Sequence, residues 1–152
     1  MKYIFPVLIA LILIPACDDN TRLTYQEQLE LDEKIIQDYL DANNIDAQRG
    51  DFGLFYTIED SGTGDTYPTS NSTVIINYKG YFPDGSVFDE RDAAQLSLRQ
   101  TISGWQIGIP LFKKGGKGRL FLPSSLAYGE FGSGSIPGNQ VIFFDIELIN
   151  FL

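Results

Sequence analysis

Histidine is absent from the 152 residues, cysteine and tryptophan occur once each, and Lys and Arg total only 11 against 20 Asp and Glu. Without histidine there is no Ser-His-Asp or Cys-His relay and no imidazole to hold zinc, and a lone cysteine cannot form an internal disulfide. No metal site and no cofactor are expected. The net charge of −9 opposes a polyphosphate partner, so nucleic acid is excluded as the expected ligand. The length allows one ordinary domain with a real core plus some appended sequence.

Glycine and proline are missing from residues 18–49, a stretch with nine acids and three bases, whereas all 15 glycines and 16 of the 20 aromatics lie at or beyond residue 50. Four segments are therefore predicted: 1–16, 17–23, 24–49 and 50–152.

Residues 3–16 carry no charge, follow Lys2 and are mostly Ile, Leu, Val and Phe. Fourteen apolar residues are short of the roughly 20 needed to cross a bilayer, and the pattern is that of a cleavable signal peptide. The stretch ends Ile14-Pro15-Ala16-Cys17, which resembles the bacterial lipobox, where the cysteine is lipidated and becomes the new N-terminus. That resemblance implies lipidation at Cys17, with residues 17–23 as a tether. The implied location is a membrane of the bacterial cell envelope, the outer membrane in preference. The acyl chains would hold the protein there without a transmembrane helix.

In residues 24–49, Thr24 and Glu27 have capping-box spacing, and Leu31, Ile35, Ile36, Tyr39 and Leu40 recur at helical intervals. A helix is predicted that packs on the domain and ends near Asn43-Asn44. Beyond Phe52, apolar and polar residues alternate in runs bounded by Gly, Pro, Asn and Asp. Strands are predicted around Leu54–Ile58, Val74–Tyr78, Gln95–Leu98, Lys117–Leu122 and Val141–Asn150, with Ile142, Phe144, Ile146 and Leu148 on one face. One short helix fits Trp105–Phe112. The class is α+β: a curved antiparallel sheet of about five strands wrapped around one short helix, with an N-terminal helix appended.

Six pieces then stand in order: Val74-Ile75-Ile76-Asn77-Tyr78-Lys79-Gly80-Tyr81, Asp84-Gly85-Ser86-Val87-Phe88-Asp89, Ile102-Ser103-Gly104-Trp105-Gln106-Ile107-Gly108, Leu126-Ala127-Tyr128-Gly129, Ile136-Pro137-Gly138-Asn139 and Phe144-Asp145-Ile146-Glu147-Leu148. In this order the chain resembles the FKBP-type peptidyl-prolyl cis-trans isomerases over roughly residues 52–152. The resemblance implies an apolar pocket for a prolyl ring, floored by Trp105 and walled by Tyr78, Phe88, Ile102, Ile136 and Phe144. Asp89 and Tyr128 are the expected catalytic polar groups. It further implies proline-containing polypeptides, exported proteins among them, as partners, and macrolide-type ligands of that family. Thr101 departs from the family's usual aliphatic residue, and the Arg91–Leu98 segment is shortened. The wall near Ala94, Gln95 and Leu96 is therefore missing or aliphatic.

The chemistry suits a sequence without histidine. Rotation about an Xaa-Pro bond needs no proton transfer. The twisted amide is less dipolar than the planar one, so a dry apolar pocket favours the twisted form. Two other readings compete: a non-catalytic peptide-binding module of the same fold, and a carbohydrate site on exposed aromatics such as Tyr67 and Tyr81. Lys113, Lys114, Lys117 and Arg119 lack the spacing of a phosphate loop and are expected to be solvated.

Overall fold

The computed structural model describes residues 22–152, so the apolar leader and Cys17 lie outside the described residues. Six strands, rather than about five, form one antiparallel sheet: β1 (Gln48–Arg49), β2 (Phe55–Asp60), β3 (Thr73–Tyr81), β4 (Val87–Ser97), β5 (Lys117–Leu122) and β6 (Ile142–Phe151). Their order is β1-β2-β5-β6-β3-β4, so β6 joins a β1-β2-β5 half to a β3-β4 half. The sheet begins before residue 50, because Gln48 and Arg49 pair with Tyr56 and Phe55.

Period-two alternation accounts for β3 and β6. Val74, Ile76 and Tyr78 are buried while Thr73, Ile75 and Asn77 between them are only half-buried. In β6, Ile142, Phe144, Ile146 and Leu148 share the inner core, and Phe143 enters a second cluster with Phe55 and Phe121. The sheet is therefore apolar at positions on both faces, and each face has its own helix.

On the inner face lies α2 (Ser103–Gly108), continued by a 3₁₀ turn at Ile109–Leu111 in which Pro110 takes an early position that suits it. Gly104 and Gly108, one turn apart, let this helix lie against β5. A Cβ at Gly104 would fall 2.5 Å from Leu122 Cδ1, and one at Gly108 would fall 2.7 Å from Leu120 Cδ1.

On the outer face lies α1 (Tyr25–Ala42). Its first turn has the expected capping box: the Glu27 N–H donates to Thr24 Oγ1 at 3.3 Å and the Thr24 N–H donates to Glu27 Oε2 at 2.8 Å. The helix closes at Asn43, with Asn44 at φ 52°. Ile36, Tyr39 and Leu40 pack on Phe55, Phe121 and Phe143, but the predicted stripe is corrected at Leu31 and Ile35, which are 47% and 43% exposed. The buried position one turn before Ile36 belongs to Asp32, whose carboxylate is satisfied by Ser124.

One further expectation changes and another holds. Tyr81 is buried, its hydroxyl donating to Asp145 Oδ1 at 3.1 Å, so it is not an exposed platform for sugars. Lys117 and Arg119 sit in β5 and pair with Glu147 at 3.0 Å and Glu59 at 2.8 Å across the sheet, which is ordinary charge pairing on a wet face. Among the described residues, no helix is long and apolar enough to cross a membrane.

Candidate active site

All eight residues predicted for the pocket come together where α2, β3, β4, β6 and the 124–139 loop meet. Tyr78, Trp105, Ile136 and Phe144 belong to the inner core, with Phe88, Ile102 and Tyr128 packed against it. Trp105 meets Tyr78 edge-on with centroids 4.9 Å apart and an interplanar angle of 81°, and meets Phe144 at 5.1 Å and 79°. Phe88 stands on Phe144 at 5.7 Å and 87°. Edge-to-face contacts of this kind add about 0.5–1.5 kcal/mol each beyond area burial, so the rings hold one another in fixed orientations.

Asp89 joins the cluster through β4. The prediction placed a strand only at Gln95–Leu98, whereas β4 starts at Val87 and carries both Phe88 and Asp89 opposite β3. The Tyr78 hydroxyl donates to Asp89 Oδ2 at 2.6 Å, a charge-assisted bond that fixes the carboxylate beside the rings. Arg91 Nε lies 3.7 Å from Asp89 Oδ1.

The expected gap in the 91–98 wall resolves as aliphatic. Ala94 and Leu96 pack against the inner core and Gln95 faces out. Thr101 turns its hydroxyl back to donate to the Leu98 carbonyl at 2.8 Å. Phe82 was not predicted, yet its ring lies 5.0 Å from Phe88, because the Phe82 N–H donates to the Ser86 carbonyl at 2.9 Å and folds the hairpin. The Pro83-Asp84-Gly85 turn was the available signal: an aromatic just before a tight turn is returned beside the strand that follows.

Burial, and then the bond to Asp89, pushes the Tyr78 hydroxyl up to about 12. Burial, followed by the nearby Asp89 charge, also raises Tyr128. Tyr128 therefore keeps its proton and remains a donor. An unfolded tyrosine loses its proton near pH 10, so between about pH 10 and 12 the folded chain holds more protons than the unfolded one, and stability falls as pH rises through that window. We expect the urea midpoint to decline across it and the decline to be shallower in Tyr78→Phe. Equal slopes in the two proteins would contradict the assignment.

Two clefts lie elsewhere. One of about 640 Å³ crosses the charged outer face near Arg119 and Glu147. The other, of about 660 Å³, separates the start of α1 from the 124–139 loop. The first is lined by Tyr39, Tyr78 and Tyr81 among charged side chains, and neither is lined by Phe88, Trp105 or Phe144.

An antiparallel sheet packed over a short helix, with Tyr78, Phe88, Trp105 and Phe144 meeting edge to face at their junction, defines a class of small domains built around one aromatic cluster. Residues 64–149, more than half the chain, match the family of the FKBP-type peptidyl-prolyl cis-trans isomerase, and the chain belongs to that family. It is 41% identical over 123 residues to "FKBP-type peptidyl-prolyl cis-trans isomerase FkpA" of Aeromonas hydrophila, covering 77% of this chain and 46% of that protein. It is 39% identical over 102 residues to FkpA of Escherichia coli K12, covering 64% and 37%. Among solved structures, a peptidyl-prolyl cis-trans isomerase from Pseudomonas syringae superposes with a TM-score of 0.72 at 29% identity, covering 86% of this chain and 98% of that one. FkpA from Escherichia coli gives 0.67 at 30%, covering 88% and 75%. The chain spans about half the length of the curated relatives it matches first, at 46% and 47%.

Proposed function

We propose that this chain accelerates cis–trans isomerisation of Xaa-Pro bonds in exported proteins, acting from a lipid anchor at Cys17 in the bacterial cell envelope, the outer membrane in preference. The observation that carries the activity is the ring box of Tyr78, Phe88, Trp105 and Phe144 with Asp89 held at its edge by the Tyr78 hydroxyl. Family membership supports the same reading.

Uncatalysed rotation faces a barrier of about 18–20 kcal/mol because amide resonance is lost at the midpoint. In water the planar amide keeps its solvation. Against apolar rings it does not, and the less dipolar twisted form gains relative to it. Ile102 and Ile136 extend the apolar wall. Tyr128, protonated, donates to a substrate carbonyl and holds one side of the bond still while the other turns. Asp89, fixed by the Tyr78 hydroxyl, orients the twisted carbonyl electrostatically. The same surface would take a macrolide-type FKBP ligand.

The test is exchange of an Xaa-Pro peptide, read by line broadening with residues 18–152. Saturable acceleration over buffer is expected. Peptide binding without acceleration would leave the rival reading, a binding module of the same fold. For the anchor, Cys17→Ser should move the protein from the membrane fraction to the soluble one; retention in the membrane would end the lipidation proposal.

A further inference from the structure

Asp32 on α1 is a fully buried carboxylate that the isomerase reading does not use. Its Oδ2 accepts hydrogen bonds from the Ser124 N–H at 2.7 Å and the Ser124 hydroxyl at 2.5 Å, and its Oδ1 accepts one from Gln28 Nε2 at 2.7 Å. A buried carboxylate with satisfied oxygens seldom adds more stability than an apolar residue of like volume. What it adds is direction, because an oxygen that accepts from both the N–H and the hydroxyl of one residue fixes that residue in place.

The donor here opens the loop that carries Tyr128. Ser124–Leu126 forms a 3₁₀ turn, the Ala127 N–H donates to the Ser124 carbonyl at 3.0 Å, and Tyr128 follows directly. The rest of the loop is bonded to itself: the Asn139 N–H donates to the Gly129 carbonyl at 2.8 Å, and Ser133 pairs with Ile136. Among the described residues, the polar side-chain contacts from 124–139 to another element are those to Asp32 and the exposed Arg22–Glu130 ion pair at 2.9 Å. The cleft of about 660 Å³ between Tyr25 and Gln28 on one side and Ser125 and Asn139 on the other leaves much of this junction without packed side chains. The seat of the loop on α1 is thus a single buried carboxylate.

We propose that Asp32 is a positioning residue: through Ser124 it makes α1 part of the catalytic unit by setting where the Tyr128 hydroxyl stands. This rests on the isomerase reading of the site. The test uses the full chain as wild type, Asp32→Ala and Asp32→Asn, each with and without Tyr128→Phe, and reads kcat/KM for an Xaa-Pro peptide together with amide exchange of residues 124–131. Asp32→Ala should lower kcat/KM by about tenfold, the scale of one lost charge-assisted hydrogen bond, and Asp32→Asn, which keeps an acceptor oxygen, by less. In the Tyr128→Phe background the Asp32 changes should have little further effect, since the group they misplace is gone. Amides 124–131 should exchange about tenfold faster while those of β3 and β6 stay unchanged.

Equal losses in both backgrounds would mean a general weakening of the fold and would overturn the proposal. Unaltered turnover in Asp32→Ala would do the same. Should Asp32→Ala fail to fold, Asp32→Asn decides by the same two readouts. An inactive wild type would end the isomerase reading, and unchanged exchange at 124–131 would end the positioning claim separately.

Discussion

Trp105→Ala is expected to remove turnover almost entirely and to cost about 3–5 kcal/mol of stability, as truncation of a buried aromatic does. The indole is 4% exposed and meets both Tyr78 and Phe144 edge-on, so its loss leaves two rings without the surface that sets their angles. The site loses its floor and the walls lose their reference at once. Against a total stability of about 5–15 kcal/mol the domain should still fold, which circular dichroism and a urea titration would establish before activity is read. Trp105→Phe is the informative companion. It keeps a ring in the box and removes an indole N–H that has no acceptor among the described residues, so it should cost less than half as much stability and retain measurable exchange. Full activity in a folded Trp105→Ala protein would place the chemistry elsewhere.

The second large effect is expected at Gly80. This residue lies in β3 opposite Asp89 on one side and Phe144 on the other. An added Cβ would fall 2.6 Å from two atoms of the Phe88 ring and 2.8 Å from Phe144 Cε1. Gly80→Ala should therefore push both walls outward, with an overpacking cost of about 1–3 kcal/mol. The loss in kcat/KM should reach about tenfold or more, since 1.4 kcal/mol of lost transition-state stabilisation corresponds to a factor of ten. Gly80→Val should exceed it on both measures. The rings are side chains and can yield, so the fold should survive. An alanine variant with wild-type turnover and an unmoved urea midpoint would show that Phe88 and Phe144 need not meet as they do.

Much of this site could be read from residue order because β3 and β6 send alternate residues, Val74, Ile76 and Tyr78 and then Ile142, Phe144, Ile146 and Leu148, into one inner core. β3 and β6 announce themselves by alternation, whereas the short helix expected at Trp105–Phe112 starts earlier, at Ser103, and passes into a 3₁₀ turn at Ile109–Leu111 where Pro110 sits. β4 was harder. Its Asp89-Glu90-Arg91-Asp92 run is polar, and its position at the sheet edge leaves that polarity in water, so hydropathy carries no strand signal there. The outward cluster was hidden for a different reason. Phe55, Phe121 and Phe143 sit at positions that alternation assigns to solvent, and they become core only because α1 covers them. Asp32 is the sharpest case. Hydropathy puts Leu31 and Ile35 on the buried face and a carboxylate outside, but Ser124, 92 residues away, supplies the donors that draw the carboxylate in. No local pattern holds that information.

The placement of β6 has a consequence for how the molecule comes into being. Ile142–Phe151 follows the other five strands in chain order, and it is the seam between the two halves of the sheet. Without it, β5 and β3 each lack a neighbour and the inner core lacks Phe144 and Leu148, so neither half of the sheet is complete on its own. The two halves therefore become one sheet only when β6 docks between them.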